Sequence, residues 1–173
     1  MTGSLDRKVN KTISEDRRRP DIVFAYANVF GAISEKTGNF VPMADRAILS
    51  PDTMFENIIQ TCRQKKKKLI IQKKTLNHIV FDHILNDKPR VLFIMCHGDL
   101  KKENGQEKTH FCFERQKEPW LMDCCDEERI MHLLKGKKIE VGVIVLSTCH
   151  SCKLGEVLRN CGAPAVIAIS TTD

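Results

Sequence analysis

The chain has 173 residues, 42% of them hydrophobic, and a formal net charge of +6 from 28 Lys and Arg against 22 Asp and Glu. That length supports one domain with a real hydrophobic core, and the hydrophobic share excludes a wholly disordered chain. No apolar run approaches the ~18–20 residues of a membrane span, and the first twenty residues lack the apolar stretch of a signal peptide, so a cytoplasmic protein with no membrane partner is expected. The eight cysteines are irregularly spaced and mostly lie within apolar runs. In a reducing compartment they read as free thiols. The basic excess is local, in Arg17-Arg18-Arg19 and in Lys65–Lys68 with Lys73 and Lys74 nearby. No aromatic residue is interleaved to stack a base. The lysines therefore read as a solvated helix end and strand rim, and no nucleic-acid partner is expected.

Residues 1–20 are polar and aperiodic and read as a disordered arm or linker. Residues 21–173 read as one domain. Asp21–Ala27 is the first apolar run and first expected strand. Val29–Leu49, broken by Gly31, Gly38 and Pro42, reads as an irregular loop at that strand's end. Ser50-Pro51-Asp52 opens a helix: a Ser cap, Pro at the first position, then an acid. Met54, Phe55, Ile58, Ile59 and Cys62 continue it at helical spacing, and it fades in the lysine run. Leu69-Ile70-Ile71 is expected as a short strand. Leu76, Ile79, Val80, His83 and Ile84 give a second helix, ended by Asn86, Asp87 and Pro89. Val91–Cys96 is continuously apolar, as in a strand covered on both faces.

Asp99–Lys108 is polar, with Asn104-Gly105 as a turn signal. His110–Phe113 is expected as a small hairpin strand whose return is anchored by Trp120, Leu121 and Met122. Asp126 caps a third helix carrying Ile130, Met131, Leu133 and Leu134, with Gly136 past its end. Ile139–Leu146 is the fourth core strand. A fourth helix follows Cys152, with Leu154, Val157, Leu158 and Cys161 at helical spacing, and Ala165–Ile169 is the last strand. Apolar strands alternating with amphipathic helices predict an α/β fold, a mostly parallel central sheet with helices on both faces.

Two apolar strands end in polar clusters, Arg90–Asp99 at His97-Gly98 and Val141–Cys152 at Ser147-Thr148-Cys149-His150-Ser151-Cys152. Sites in open α/β sheets lie beyond the carboxyl ends of the strands. If the two strands are neighbours, His97 and Cys149 come within reach of one another. A following helix offers unpaired N–H groups that favour a thiolate, and an imidazole across the cleft takes or shares its proton. The amides of Gly98 and Cys149 could hold the oxyanion of an attacked carbonyl. Cys149 follows His97 by 52 residues (149 − 97), near the roughly 50 seen in caspases, although the Gln-Ala-Cys-Arg-Gly of caspases is absent.

The segment VLFIMCHG resembles the histidine motif of caspase-like cysteine peptidases. IVLSTCHSCKLGEVLRNCGAPAVIAIS is similar to the nucleophile segment of their CHAT branch, and Cys149-His150-Ser151 to the Cys-His-Ser of metacaspases. The resemblance implies a three-layer α/β/α sandwich and a cysteine endopeptidase acting on a protein or peptide. It implies His97 as general base, Cys149 as nucleophile, Gly98 as oxyanion donor and no cofactor or metal. Ser147, His150 and Ser151 are candidate cleft-lining residues. Ser147 stands where metacaspases place an Asp for a basic substrate residue, so no preference for Arg or Lys follows. Relatives in the CHAT branch continue past the last strand, so a partner or a further C-terminal segment is expected. Three other readings stay open. One is a non-catalytic interaction module on the same fold. Another is a thioredoxin-like Cys149-x-x-Cys152 redox pair. The third is a zinc site using Cys149, Cys152, Cys124 and Cys125, which adjacent cysteines serve poorly.

Overall fold

The computed structural model describes residues 19–34, 36–42, 50–65, 68–103, 105–118 and 120–168. The segment Met1–Arg18 and the expected loop beyond Pro42, up to Leu49, lie outside the described residues, as does Ile169. Arg19 and Pro20, placed in the arm by sequence, are docked instead. The Arg19 guanidinium donates to the carbonyls of Lys88, Pro89 and Glu140, the last at 3.0 Å.

The centre is a five-stranded parallel sheet of β1 (Ile22–Tyr26), β4 (Ile71–Thr75), β5 (Val91–Met95), β9 (Val143–Ser147) and β10 (Val166–Ala168), in the spatial order β10-β9-β5-β1-β4. A small antiparallel pair, β2 (Gly31–Ile33) with β3 (Phe40–Pro42), stands where sequence gives only a loop. A three-stranded antiparallel sheet, β6 (His97–Glu103), β7 (Gln106–Glu114) and β8 (Met122–Asp126), follows β5 directly. The described helices are α1 (Pro51–Gln64), α2 (His78–Asp87), α3 (Glu127–Leu134) and α4 (Ser151–Asn160).

The helix ends follow from the sequence. Asn77 caps α2, its side chain accepting from the amides of Ile79 and Val80. Asp126 caps α3 by accepting from Arg129 N at 2.8 Å. Ser50 precedes Pro51 as expected, but its hydroxyl makes no capping bond, so Pro51 and Asp52 carry the start of α1.

The register divides the central sheet into two unlike faces. Val23, Ala25, Leu92, Ile94, Ile144 and Leu146 lie on one, all buried. They join Phe81, Ile84 and Leu85 of α2, Ile130 and Leu134 of α3, Leu154, Val157 and Leu158 of α4, and Phe111 and Phe113 of β7 in one core. Each such side chain, fully buried, is worth ~1.5–3 kcal/mol. On the other face α1 sets Phe55 against Phe24, with ring centroids 5.8 Å apart. Val91, Phe93, Val143 and Val145 there are only half-buried, and Ile167 is 58% exposed. Continuous apolarity in β5 and β9 therefore does not reflect equal cover on both faces among the described residues.

Two strands differ from expectation. The second core strand is Ile71–Thr75, not Leu69–Ile71. It is an edge strand whose lysines are only half exposed. The Lys73 ammonium lies 4.9 Å from the Tyr26 ring centroid and 5.6 Å from that of Phe55, and pairs with Asp52. Its alkyl stem does the work of an apolar residue. The polar stretch after Gly98 is likewise a long hairpin, with Glu103 paired to Gln106.

Candidate active site

Strands β5 and β9 are neighbours, paired in parallel, with Met95 opposite Ser147. His97 and Cys149 each stand two residues beyond those partners, at the same level past the carboxyl edge of the sheet. Adjacent strands run roughly 4.8 Å apart. The condition set by the sequence, that the two strands adjoin, is met.

Gly98 fixes the approach of the two tips. A Cβ built on Gly98 would fall well inside contact distance of the Cys149 carbonyl oxygen. It would also lie 2.9 Å from the Cys149 carbonyl carbon and 2.9 Å from Thr148 Oγ1. Only glycine lets the two backbones meet this closely. The hairpin register settles where the Gly98 amide points. Successive residues of a central antiparallel strand bond to opposite neighbours. The Arg115 amide donates to Leu121 O, so Arg115, Phe113 and Phe111 bond toward β8, and the pair Gly98↔Phe111 is a non-bonded one. The Gly98 N–H thus points to the open edge of β6, not into the ladder with β7.

Cys149 is exposed and follows β9 in a turn. His150 after it has a left-handed backbone, φ 56°, and occupies the cap position of α4 without a capping side-chain bond. Few residues other than Gly, Asn, Asp and His tolerate this conformation. It turns the chain sharply from strand into helix and leaves the first amides of α4 without a side-chain acceptor from His150. Ser147 and His150 are half-buried at the rim. Ser151, expected to line the cleft, is instead fully buried in the first turn of α4. Cys152 is exposed on the same turn, and no sulfur is engaged in a disulfide.

The buried thiols contrast with the exposed Cys149 and Cys152. Cys96, between β5 and β6, is buried, and burial pushes its thiol up to about 12, with Thr148, hydrogen-bonded to it, pulling the other way. Burial likewise pushes Cys125 up to about 12. Neither is a nucleophile near neutral pH.

Two acids near the site were not singled out by sequence. The pleat puts His97, Asp99 and Lys101 on one face of β6, and the register sets Cys112, His110 and Lys108 opposite them. Lys101 Nζ reaches Cys124 Sγ on β8 at 3.7 Å, which shows that this face is shared across the sheet. Asp99 thus follows His97 on its own side of the strand. His110, for which sequence shows no partner, stands between Asp99 and Asp126. The signal was the His-x-Asp spacing, readable only once residues 97–103 are known to be a strand.

The second acid is Glu114, buried at the end of β7. Its carboxylate accepts from Asn28 N at 3.1 Å, and its own amide donates to Leu76 O at 2.8 Å, tying β7 to the tips of β1 and β4. Burial raises its pKa above the ordinary Glu value, against the bond from Asn28. A raised carboxylate stabilises the fold fully below the ordinary Glu range, and that contribution is lost as pH rises through the folded value. Glu114→Gln keeps the acceptor for Asn28 and removes the charge. Relative to wild type it should gain stability as the pH rises from 4 to 7. Urea unfolding at the two pH values measures this; a pH-independent difference would show that the carboxylate is solvated.

Among the described residues no group of three or more His, Cys, Asp or Glu is placed to hold a metal ion. No described helix is long and apolar enough to cross a membrane. No family model matches this chain, and no curated protein matches it.

Proposed function

We propose that this chain is a caspase-like domain of the CHAT type, a three-layer α/β/α sandwich acting as a cytoplasmic cysteine endopeptidase. The observation that carries the reading is the meeting of the β5 and β9 tips. It brings Gly98, the residue after His97, onto the backbone of the exposed Cys149.

In this reading the Cys149 thiolate attacks a peptide carbonyl while His97 holds the proton. The oxyanion is met by the Gly98 N–H, which the hairpin leaves turned toward the edge, and by the Cys149 amide. His97 passes its proton to the departing amine, leaving a thioester on Cys149. His97 then takes a proton from water, hydroxide adds to the thioester, and the acid product and the thiol are released. Asp99, on the same face of β6 as His97, takes the part of the third, orienting group in this reading. The substrate is an extended protein or peptide segment, and a partner or further segment over the half-covered face of the sheet belongs to the same reading.

A redox pair of Cys149 and Cys152 is less well supported. Both thiols are exposed, but that chemistry gives His97 and Gly98 no role. A non-catalytic module keeps the fold but needs no activated thiol. Timed alkylation with iodoacetamide, mapped by mass spectrometry, separates these. Cys149 should react first, ahead of Cys152, while Cys96 and Cys125 stay protected in the folded protein. His97→Ala should slow Cys149 by ~10-fold or more and leave Cys152 unchanged. Equal rates at Cys149 and Cys152, indifferent to His97, would count against catalysis.

A further inference from the structure

At the opposite end of the sheet, a groove of about 500 Å³ lies between the C-terminal half of α1 and the start of β4. Its walls are Ile59 and Cys62 from α1 and Leu69, Ile70 and Ile71 from the chain entering β4. Arg63 and Lys68 stand at its rim, and Lys65 ends α1 beside it. All three cations are exposed, and none forms an ion pair with a described residue. Elsewhere on this edge the cations are matched: Lys73 with Asp52, and Lys74 with Asp87 at 2.8 Å. The rim is thus a local excess of positive charge around an apolar floor.

The strand bordering the groove has an open edge. β4 ends the central sheet and pairs only with β1 among the described residues. Ile70 O accepts from Asp21 N and Ile22 N, and Leu76 N donates to Tyr26 O. Even-numbered residues therefore turn their backbone groups toward β1. The N–H and C=O groups of Ile71, Lys73 and Thr75 turn outward, as a template for another strand.

We infer that this groove binds an extended acidic segment of a partner protein as an added strand on β4. Its carboxylates face Arg63, Lys65 and Lys68, and an aliphatic side chain enters between Ile59, Cys62 and Ile71. Main-chain bonds supply affinity in such additions and side-chain pockets supply selectivity. Nucleic acid fits worse, since the groove has no aromatic wall for a base. The inference does not depend on the chemistry assigned to Cys149.

The test uses the whole chain and a fluorescein-labelled nonapeptide of alternating Glu and Ile, followed by anisotropy. Saturable binding is expected, weakened ~10-fold or more in the Arg63→Glu/Lys68→Glu double variant. Both residues are exposed, and circular dichroism checks the fold. The same peptide N-methylated at every second residue keeps its charges and side chains but should lose ~10-fold or more in affinity, because strand pairing needs its N–H groups. Four results would each overturn the inference. They are no saturation up to millimolar peptide, equal affinity for the double variant, equal affinity for a hexaglutamate lacking Ile, and displacement of the peptide by a single-stranded oligonucleotide at lower concentration.

Discussion

Gly98→Ala is expected to cost ~10²-fold or more in kcat/KM and roughly 1–3 kcal/mol in stability, though it adds a single methyl group. The reason is local and steric. The new Cβ would overlap the carbonyl group of Cys149 and press on Thr148 Oγ1, and backbone atoms cannot turn aside as a flexible side chain can. Either β6 or the turn carrying Cys149 must move. Any such movement shifts Cys149 and disturbs the hydrogen bond between Thr148 and the Cys96 thiol. Thermal unfolding and peptide hydrolysis measure the two effects. A variant with unchanged stability and activity would mean that the two strand tips do not meet as described.

The second large effect separates the residues at the end of β9. Cys149→Ala should remove essentially all peptide hydrolysis, and His97→Ala should lose ~10²–10⁴-fold, the usual worth of a general base. Cys152→Ser should stay within roughly threefold of wild type, because the proposed acyl transfer uses one thiol. All three residues lie outside the core cluster, so folding should survive. If Cys152→Ser fails as completely as Cys149→Ala, the pair works as a redox couple instead.

Much of the scaffold is legible without coordinates. Asp126 reads as a helix cap and is one, and the 3.6-residue spacing of Leu154, Val157 and Leu158 places α4 on the core. What hides is structure held by polar side chains. Lys73 and Lys74 break the apolar pattern of β4, yet each has a carboxylate partner and Lys73 also covers two rings. The hairpin arm His97–Glu103 carries no alternating apolar signal, because β6 is an edge strand and only its register with β7 gives it a half-buried side. Missing that strand also hid Asp99 behind His97. Glu114 could not be found from sequence, since its burial depends on Asn28 and Leu76, each far away along the chain.

For the site, the positions of His97, Gly98 and Cys149 are readable as strand ends. That the two strands adjoin is a fact of topology. An apolar run does not say which neighbour it will take, and here β5 sits between β1 and β9. Ser151 shows the converse error. A serine beside an exposed cysteine looks like a cleft residue, but the first turn of α4 points it into the interior.

Digestion of a mixed peptide library, read by mass spectrometry, tests the peptidase assignment most directly. The wild-type chain should produce a defined set of cleavages that is absent with Cys149→Ala. The same cleavages from both proteins, or none from a wild-type chain whose Cys149 alkylates no faster than Cys152, would contradict it.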